Sequence, residues 1–212
     1  MRLTAPLDDA LRTASHVRIL RTLLNVPLGL PASGRELARR AGLSHPTATK
    51  VLRDLEHQGL VRAQRQVGAE GYRLNERNLL VGPLKDLFDG ENAIPVRLAE
   101  WLKAALEEHR EIEQAYLFGS AARGSMTRSS DLDLGIVAPG ARAEALEERL
   151  DPLISDLRQR VGVPVQVVIT TRAPSTLRAG RKRLWQRIVK EGLVITSREI
   201  RAARGSRRRR HG

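Results

Sequence analysis

Apolar residues in the first third of the chain recur with a helical period. Leu7, Leu11, Val17, Leu20, Leu23 and Leu24 mark a helical stretch over residues 7–24, which Pro27 and Gly29 end. Ser33, Gly34, Arg35 and Glu36 read as a capping box, with Leu37, Ala38 and Ala41 facing inward until Gly42 breaks the helix. Ser44 caps a second helix, and Pro46 is tolerated in its first turn because amides there have no intrahelical acceptor. Ala48, Val51, Leu52 and Leu55, spaced i, i+3, i+4, i+7, form its inner face, and Gly59 closes it. The pattern then changes: residues 60–66 read as a strand, 68–71 as a turn and 72–74 as a return strand.

Two short helices around a glycine turn are the helix-turn-helix signature. With the following hairpin, residues 7–76 resemble the winged helix-turn-helix DNA-binding domains of bacterial and archaeal regulators. The resemblance implies double-stranded DNA as a partner. The outward face of the second helix is Ser44, His45, Thr47, Thr49, Lys50 and Arg53, short hydroxyls followed by cations that suit base edges and phosphates in a major groove. Arg62, Arg65 and Arg73 are candidates for wing contacts with the DNA backbone. The same face would also serve a protein-interaction winged helix whose polar residues are merely solvated. Winged-helix regulators are frequently homodimers, but no stretch of the sequence fixes an interface. The five histidines have no metal-ligand spacing.

Residues 79–97 read as a connector: an apolar-periodic piece interrupted by Gly82 and Pro83, then Gly90, Glu91 and Asn92. Residues 98–110 are a stronger helix with Leu98, Leu102, Ala105 and Leu106 on one stripe. A short strand over residues 115–118 then runs into Gly119, Ser120, Ala121, Ala122, Arg123 and Gly124, and Ser130, Asp131, Leu132 and Asp133 follow a polar loop. Ten residues separate Ser120 from Asp131, which gives Gly-Ser-x10-Asp-x-Asp.

Alternate residues of a strand share a face about 6.5 Å apart, so Asp131 and Asp133 point together while Leu132 and Leu134 enter the core. Two carboxylates so placed suit one or two Mg²⁺ ions bridging to phosphates. Gly119 lets the backbone pass close to a phosphate, Ser120 opens a helix whose free amides favour anions, and Arg123 offers a fork of donors. The motif, with its preceding strand and with Ser130 before the first aspartate, is similar to the minimal nucleotidyltransferases of the DNA polymerase β superfamily. That resemblance implies Asp131 and Asp133 as catalytic residues holding Mg²⁺ or Mn²⁺. It also implies Gly119, Ser120, Arg123 and Ser130 around an NTP, with ATP the first candidate, and a hydroxyl on a protein or nucleic acid as acceptor. Minimal nucleotidyltransferases often act as antitoxins on a helical toxin, so a toxin–antitoxin or defence setting follows from the resemblance.

One feature departs from that family. A glutamate- and arginine-rich helix over residues 141–160, with Pro152 as a kink or break, leads to an apolar strand over residues 163–169. Family members usually project a third acid from this strand, and the matching position here is Gln166. An amide oxygen brings no charge and is a poor base. The alternative is therefore a non-catalytic DNA-binding regulator whose second domain only binds nucleotide or a partner protein. Residues 177–192 read as a last amphipathic helix with Leu177, Leu184, Trp185, Ile188 and Val189 inward, then a short strand, then a basic, disordered tail over residues 198–212.

The expected organisation is α+β in two domains: a winged helix-turn-helix (1–78), the connector (79–97) and a small mixed-sheet nucleotidyltransferase fold (98–197). Charge sharpens this. Residues 1–78 carry 13 basic and 7 acidic side chains, residues 79–171 carry 10 and 15, and residues 172–212 carry 14 and 2. The net +13 thus resides at the two ends, while the acidic middle suits a metal-centred site. Zero cysteines exclude disulfides and thiol nucleophiles, and no apolar run reaches the roughly 18 residues of a membrane span. With no apolar leader at the N-terminus, a cytoplasmic protein is expected.

Overall fold

A computed structural model describes residues 5–27, 30–66, 69–127 and 129–197. The chain divides into two compact units, Met1–Ile94 and Pro95–Gly212. The expected basic tail lies outside the described residues.

In the first unit the leading helical stretch is two helices, α1 (Leu7–Ala10) and α2 (Ala14–Leu24). Thr13 divides them, because its hydroxyl caps α2 by accepting from the His16 amide. Strand β1 (Ala32–Ser33) leads to α3 (Gly34–Ala41), where Ser33 accepts from the Glu36 amide and Gly42 ends the helix in the left-handed region. The Glu36 carboxylate turns to Arg40 at 2.6 Å. Helix α4 (His45–His57) is capped by Ser44, which accepts from the Thr47 amide, and all four expected inner positions, Ala48, Val51, Leu52 and Leu55, are buried. They join Ile19, Leu20, Leu37, Tyr72 and Leu84 in one core.

Strands β2 (Val61–Gln66) and β3 (Ala69–Leu74) pair antiparallel, and β1 adds to β3 to give the sheet order β1-β3-β2. The return strand is longer than the sequence suggests. Gly71 is a ladder residue opposite Gln64 and not part of the turn. A Cβ there would lie 2.8 Å from the Pro31 Cβ, so glycine lets β1 lie close against β3. The Tyr72 phenol donates to Glu70 Oε2 at 2.6 Å, and burial, aided by that carboxylate, pushes its pKa up to about 12.

Residues 81–97 of the expected connector are helical. Helix α5 (Val81–Glu107) runs for 27 residues through Gly82, Pro83, Gly90 and Pro95. Pro83 falls in the first turn, where no intrahelical bond is forfeited, whereas Pro95 lies inside the helix. Val81, Leu84 and Phe88 are buried in the first unit's core, and Leu102 and Leu106 in the second unit's.

The second unit is a four-stranded mixed sheet of order β6-β5-β4-β7. Its strands are β4 (Gln114–Phe118), β5 (Leu132–Val137), β6 (Val165–Thr170) and β7 (Leu193–Ser197). A one-turn helix, α6 (Gly119–Ala122), follows β4, and α7 (Ala143–Val161) is the crossover that makes β6 parallel to β5. Pro152 is accommodated inside α7, which is one unbroken element. On one sheet face Leu146, Leu150, Ile154 and Leu157 of α7 pack with Leu102 and Leu106. On the other, α8 (Ala179–Glu191) inserts Trp185 and Ile188. Gly135 makes room for it, since a Cβ there would meet Ile188 at 3.1 Å and the Trp185 ring at 3.5 Å. Val189, expected inward, is 44% exposed because α8 buries only the Trp185–Ile188 stripe. No helix among the described residues is long and apolar enough to cross a membrane.

Candidate active site and nucleic-acid face

The candidate active site is built where three adjacent strands meet. Asp131 immediately precedes β5, and Asp133 is its second residue. Leu132 and Leu134 are fully enclosed while both aspartates are half-buried, so the alternation sends the carboxylates to one face. Asp133 stands opposite Phe118, the last residue of β4, and opposite Gln166 of β6. The register alone therefore brings the end of the Gly-Ser strand and the expected third-acid position to either side of one aspartate.

Gly119 is fixed by two constraints. Its φ is +68°, in the left-handed region. A Cβ on it would also fall on the Asp133 carboxylate, 2.0 Å from Oδ2 and 3.1 Å from Cγ. Backbone and carboxylate are thus in direct apposition. Ser120 is the second residue of α6, and the position before the helix is Phe118, which makes no side-chain cap. The helix expected to open at Ser120 begins one residue earlier, at Gly119, and is a single turn. Arg123 ends that turn and is exposed, and its guanidinium is close enough to lower the Asp133 pKa. Ser130 Oγ accepts from the Thr127 amide at 2.9 Å and meets Thr127 Oγ1 at 3.0 Å, which ties it into the turn that delivers Asp131.

The electrostatics favour a cation. Burial, and then the neighbouring Asp131 carboxylate, raise the pKa of Asp133, with Arg123 opposing them. Gln166 is exposed, and its Nε2 donates to Asp131 Oδ2 at 2.5 Å. Its side chain therefore reaches from β6 to the aspartate pair. Two carboxylates with an adjacent amide are a hard oxygen donor set for a divalent cation, and a half-turn of the amide would present Oε1 to it. The residues fit such an ion with two negative charges. Among the described residues no cluster of three or more His, Cys, Asp or Glu could hold a metal.

In the first unit Ser44, His45, Thr47, Lys50 and Arg53 are exposed on α4 and Thr49 is half-buried. His45, Pro46, Thr49, Lys50, Arg53 and Asp54 line an open depression of about 440 Å³. The Ser44 hydroxyl bonds to the Thr47 hydroxyl at 2.8 Å, and Thr49 Oγ1 donates to the His45 carbonyl. Those three hydroxyls already have local partners, so Lys50 and Arg53 are the freer groups of the face. Beneath it, His16 of α2 is 4% exposed with Nε2 3.7 Å from Asp54 Oδ2, and burial lowers its pKa. The hairpin separates the expected wing arginines. Arg65 pairs with Glu70 beside the tip pair Gln66–Ala69, whereas Arg73 pairs with Arg62 near the open end. Sequence reasoning did not single out Arg77, which lies with Arg62 and Arg73 around a second depression.

Two family matches divide the chain as the fold does. Residues 12–69 match the MarR family, and residues 100–201 match the family described as polymerase beta, nucleotidyltransferase. The chain accordingly has an N-terminal MarR-like winged helix and a C-terminal polymerase-β-type domain containing a mixed sheet. Among solved structures, a predicted DNA-binding transcriptional regulator from E. coli is 23% identical, over 42% of this chain and 86% of that one, with a TM-score of 0.33. A toxin–antitoxin with AMP-PNP is 20% identical, over 48% and 74%, with a TM-score of 0.36. A mutant of the toxin–antitoxin MntA–HpeT is 17% identical over the same shares, with a TM-score of 0.37. No curated protein matches.

Proposed function

From a chain that joins a MarR-like winged helix to a polymerase-β-type nucleotidyltransferase domain, we infer a DNA-binding protein that moves a nucleotidyl group from an NTP to a hydroxyl. The observation that carries this is the apposition of Gly119 to Asp133, beside Asp131. Asp131 and Asp133 would hold a divalent cation, Mg²⁺ or Mn²⁺, whose charge would offset that of the triphosphate. The missing Gly119 side chain lets the Asp133 carboxylate sit against the backbone, and exposed Arg123 would meet the phosphate oxygens. The acceptor oxygen bonds to the α-phosphorus, and the bond from that phosphorus to the β-phosphate oxygen breaks, releasing pyrophosphate. The hydroxyl proton passes to a carboxylate of the pair, since the Gln166 amide is no base. ATP is the first candidate donor. A hydroxyl on a helical toxin-type protein is the candidate acceptor, which would make the chain an antitoxin component. That last step rests on the resemblance to minimal nucleotidyltransferases alone.

The test is transfer of label from [α-³²P]ATP, with Mg²⁺ or Mn²⁺, to a panel of protein and nucleic-acid acceptors. Asp131→Ala should lower transfer at least ~100-fold, about 2.7 kcal/mol of barrier. Transfer equal in wild type and variant would remove the enzyme reading. The Gln166–Asp131 hydrogen bond favours the second reading, a regulator in which this domain binds nucleotide without reacting. Nucleotide binding with no transfer would select it.

The DNA face in this proposal is the outer side of α4, with Arg65 near the hairpin tip. Lys50→Ala and Arg53→Ala should each weaken duplex binding about tenfold, roughly 1.4 kcal/mol. Each should also make the slope of log K against log salt shallower by about 0.9 for every DNA phosphate left unneutralised. Electrophoretic shifts across a salt series read both. Binding that depends on residues 198–212 and not on these two side chains would move the DNA-binding surface to the basic tail.

A further inference from the structure

Arg62 and Arg73, expected from the sequence as wing contacts with DNA, lie at the base of the hairpin. The proposed DNA face, on α4 and Arg65, does not include them. Arg62 of β2 and Arg73 of β3 are directly paired in the antiparallel register. Val61, Tyr72 and Leu74 are buried, so alternation sends both arginines to the opposite side of the ladder. Like charges directly opposite in a sheet destabilise it, and here no carboxylate among the described residues pairs with either guanidinium. Arg73 is half-buried, and its Nε is closed to solvent with no hydrogen-bond partner. A buried N–H of a charged group left unmatched is costly, and an incoming acceptor would relieve it.

The third cation stands on a fixed turn. The Asn75 amide donates to the Leu60 carbonyl at 2.9 Å and Asn75 Nδ2 donates to the Gly59 carbonyl at 2.7 Å. The Asn78 amide then closes back on the Asn75 carbonyl at 2.8 Å. Arg77 is carried on this turn, and with Arg62, Arg73, Leu74, Asn75 and Glu76 it lines a concavity of about 290 Å³. Three guanidinium groups and the one Glu76 carboxylate leave two positive charges there. That matches a phosphate monoester, which carries close to two negative charges at neutral pH, and forked guanidinium donors suit phosphate oxygens. The Arg62–Arg73 pair lies four residues along the ladder from the tip pair Gln66–Ala69, about 13 Å at 3.3 Å per residue. The concavity is therefore set back from the tip that would follow DNA.

We propose that Arg62, Arg73 and Arg77 form a binding site for a small phosphate-bearing molecule at the base of the wing, separate from the α4 face. The volume is at the small end of ligand pockets, which suits a phosphate with a short substituent better than a large cofactor. The site reads charge and fork geometry at a point where the strands of the hairpin and the turn leading to α5 converge.

The experiment uses the full chain in EDTA, so that the aspartate site takes no cation, and inorganic phosphate as the probe, with chloride at equal ionic strength as control. Titration calorimetry or ³¹P line broadening should show phosphate binding that Arg73→Gln weakens at least tenfold. Arg62→Gln, an exposed substitution that leaves the core intact, should weaken it similarly. The DNA affinity of both variants should stay within twofold of wild type, with an unchanged salt slope. Phosphate binding that neither variant alters overturns the proposal, as does no binding above the chloride control. A fall of about 0.9 in the salt slope would assign the arginines to DNA phosphates instead and equally overturn it.

Discussion

Gly119→Ala should abolish nucleotidyl transfer, by at least ~100-fold, while duplex DNA binding stays within twofold of wild type. Two effects combine at this residue. The alanine would have to hold φ at +68°, a left-handed conformation that costs an L-residue about 1–2 kcal/mol. Its methyl carbon would also lie 2.0 Å from Asp133 Oδ2, well inside van der Waals distance. The carboxylate oxygen is the movable partner, so Asp133 rotates away and its register opposite Phe118 and Gln166 no longer serves the site. Loss of activity alone would not distinguish this from unfolding. Mn²⁺ affinity, followed by the loss of free-ion EPR signal, should fall with activity while far-UV dichroism is retained. An alanine variant with wild-type Mn²⁺ affinity would refute the apposition of Gly119 and Asp133 as the basis of the site.

The second large effect is expected at Gln166. Gln166→Asp replaces the amide that donates to Asp131 with a third carboxylate, in register beside Asp133. Without a divalent cation the three acids repel, and the variant should melt several degrees below wild type, about 1 kcal/mol less stable. Saturating Mg²⁺ or Mn²⁺ should reverse the order, because affinity rises with the number of ligand charges; about a tenfold gain, near 1.4 kcal/mol, is the expected scale. Transfer at sub-saturating cation should rise with it. A melting temperature indifferent to cation in both proteins would mean that Gln166 does not face the ion. A gain in affinity without any transfer would support the regulator reading.

Much of the winged helix was legible because its signals are local. The i, i+3, i+4, i+7 spacing of Ala48, Val51, Leu52 and Leu55 and the Ser44 cap state α4 almost completely, and all four apolar side chains are buried. The aspartate site was legible for a different reason. Gly-Ser-x10-Asp-x-Asp encodes a strand, a turn and a second strand whose pairing puts Phe118 opposite Asp133. Sequence could not say that Gln166 would reach Asp131, because that hydrogen bond depends on a parallel register set by the crossover helix.

The misread elements are those in which tertiary packing overrides a local breaker. Gly82, Pro83, Gly90 and Pro95 signal interruption, yet α5 persists where Val81, Leu84 and Phe88, and later Leu102 and Leu106, are buried. Gly71 signals a turn, but its missing side chain serves the approach of Pro31. For the last helix five apolar residues suggested a broad inner face, but Leu177 precedes α8 and only the positions over Gly135 are deeply buried.

The packing of α8 also has a spectroscopic consequence. The chain has two tryptophans, Trp101 and Trp185, and both belong to the second unit. Trp185 is 1% exposed above Gly135, while Trp101 is half-buried with the Arg160 guanidinium 4.5 Å from its ring centroid. Emission excited at long wavelength therefore comes from the second unit alone, with a buried indole expected to emit to the blue of its partner. The winged helix contributes no indole, so a urea titration followed by fluorescence and by far-UV dichroism resolves the two units of the native chain without cutting or labelling it.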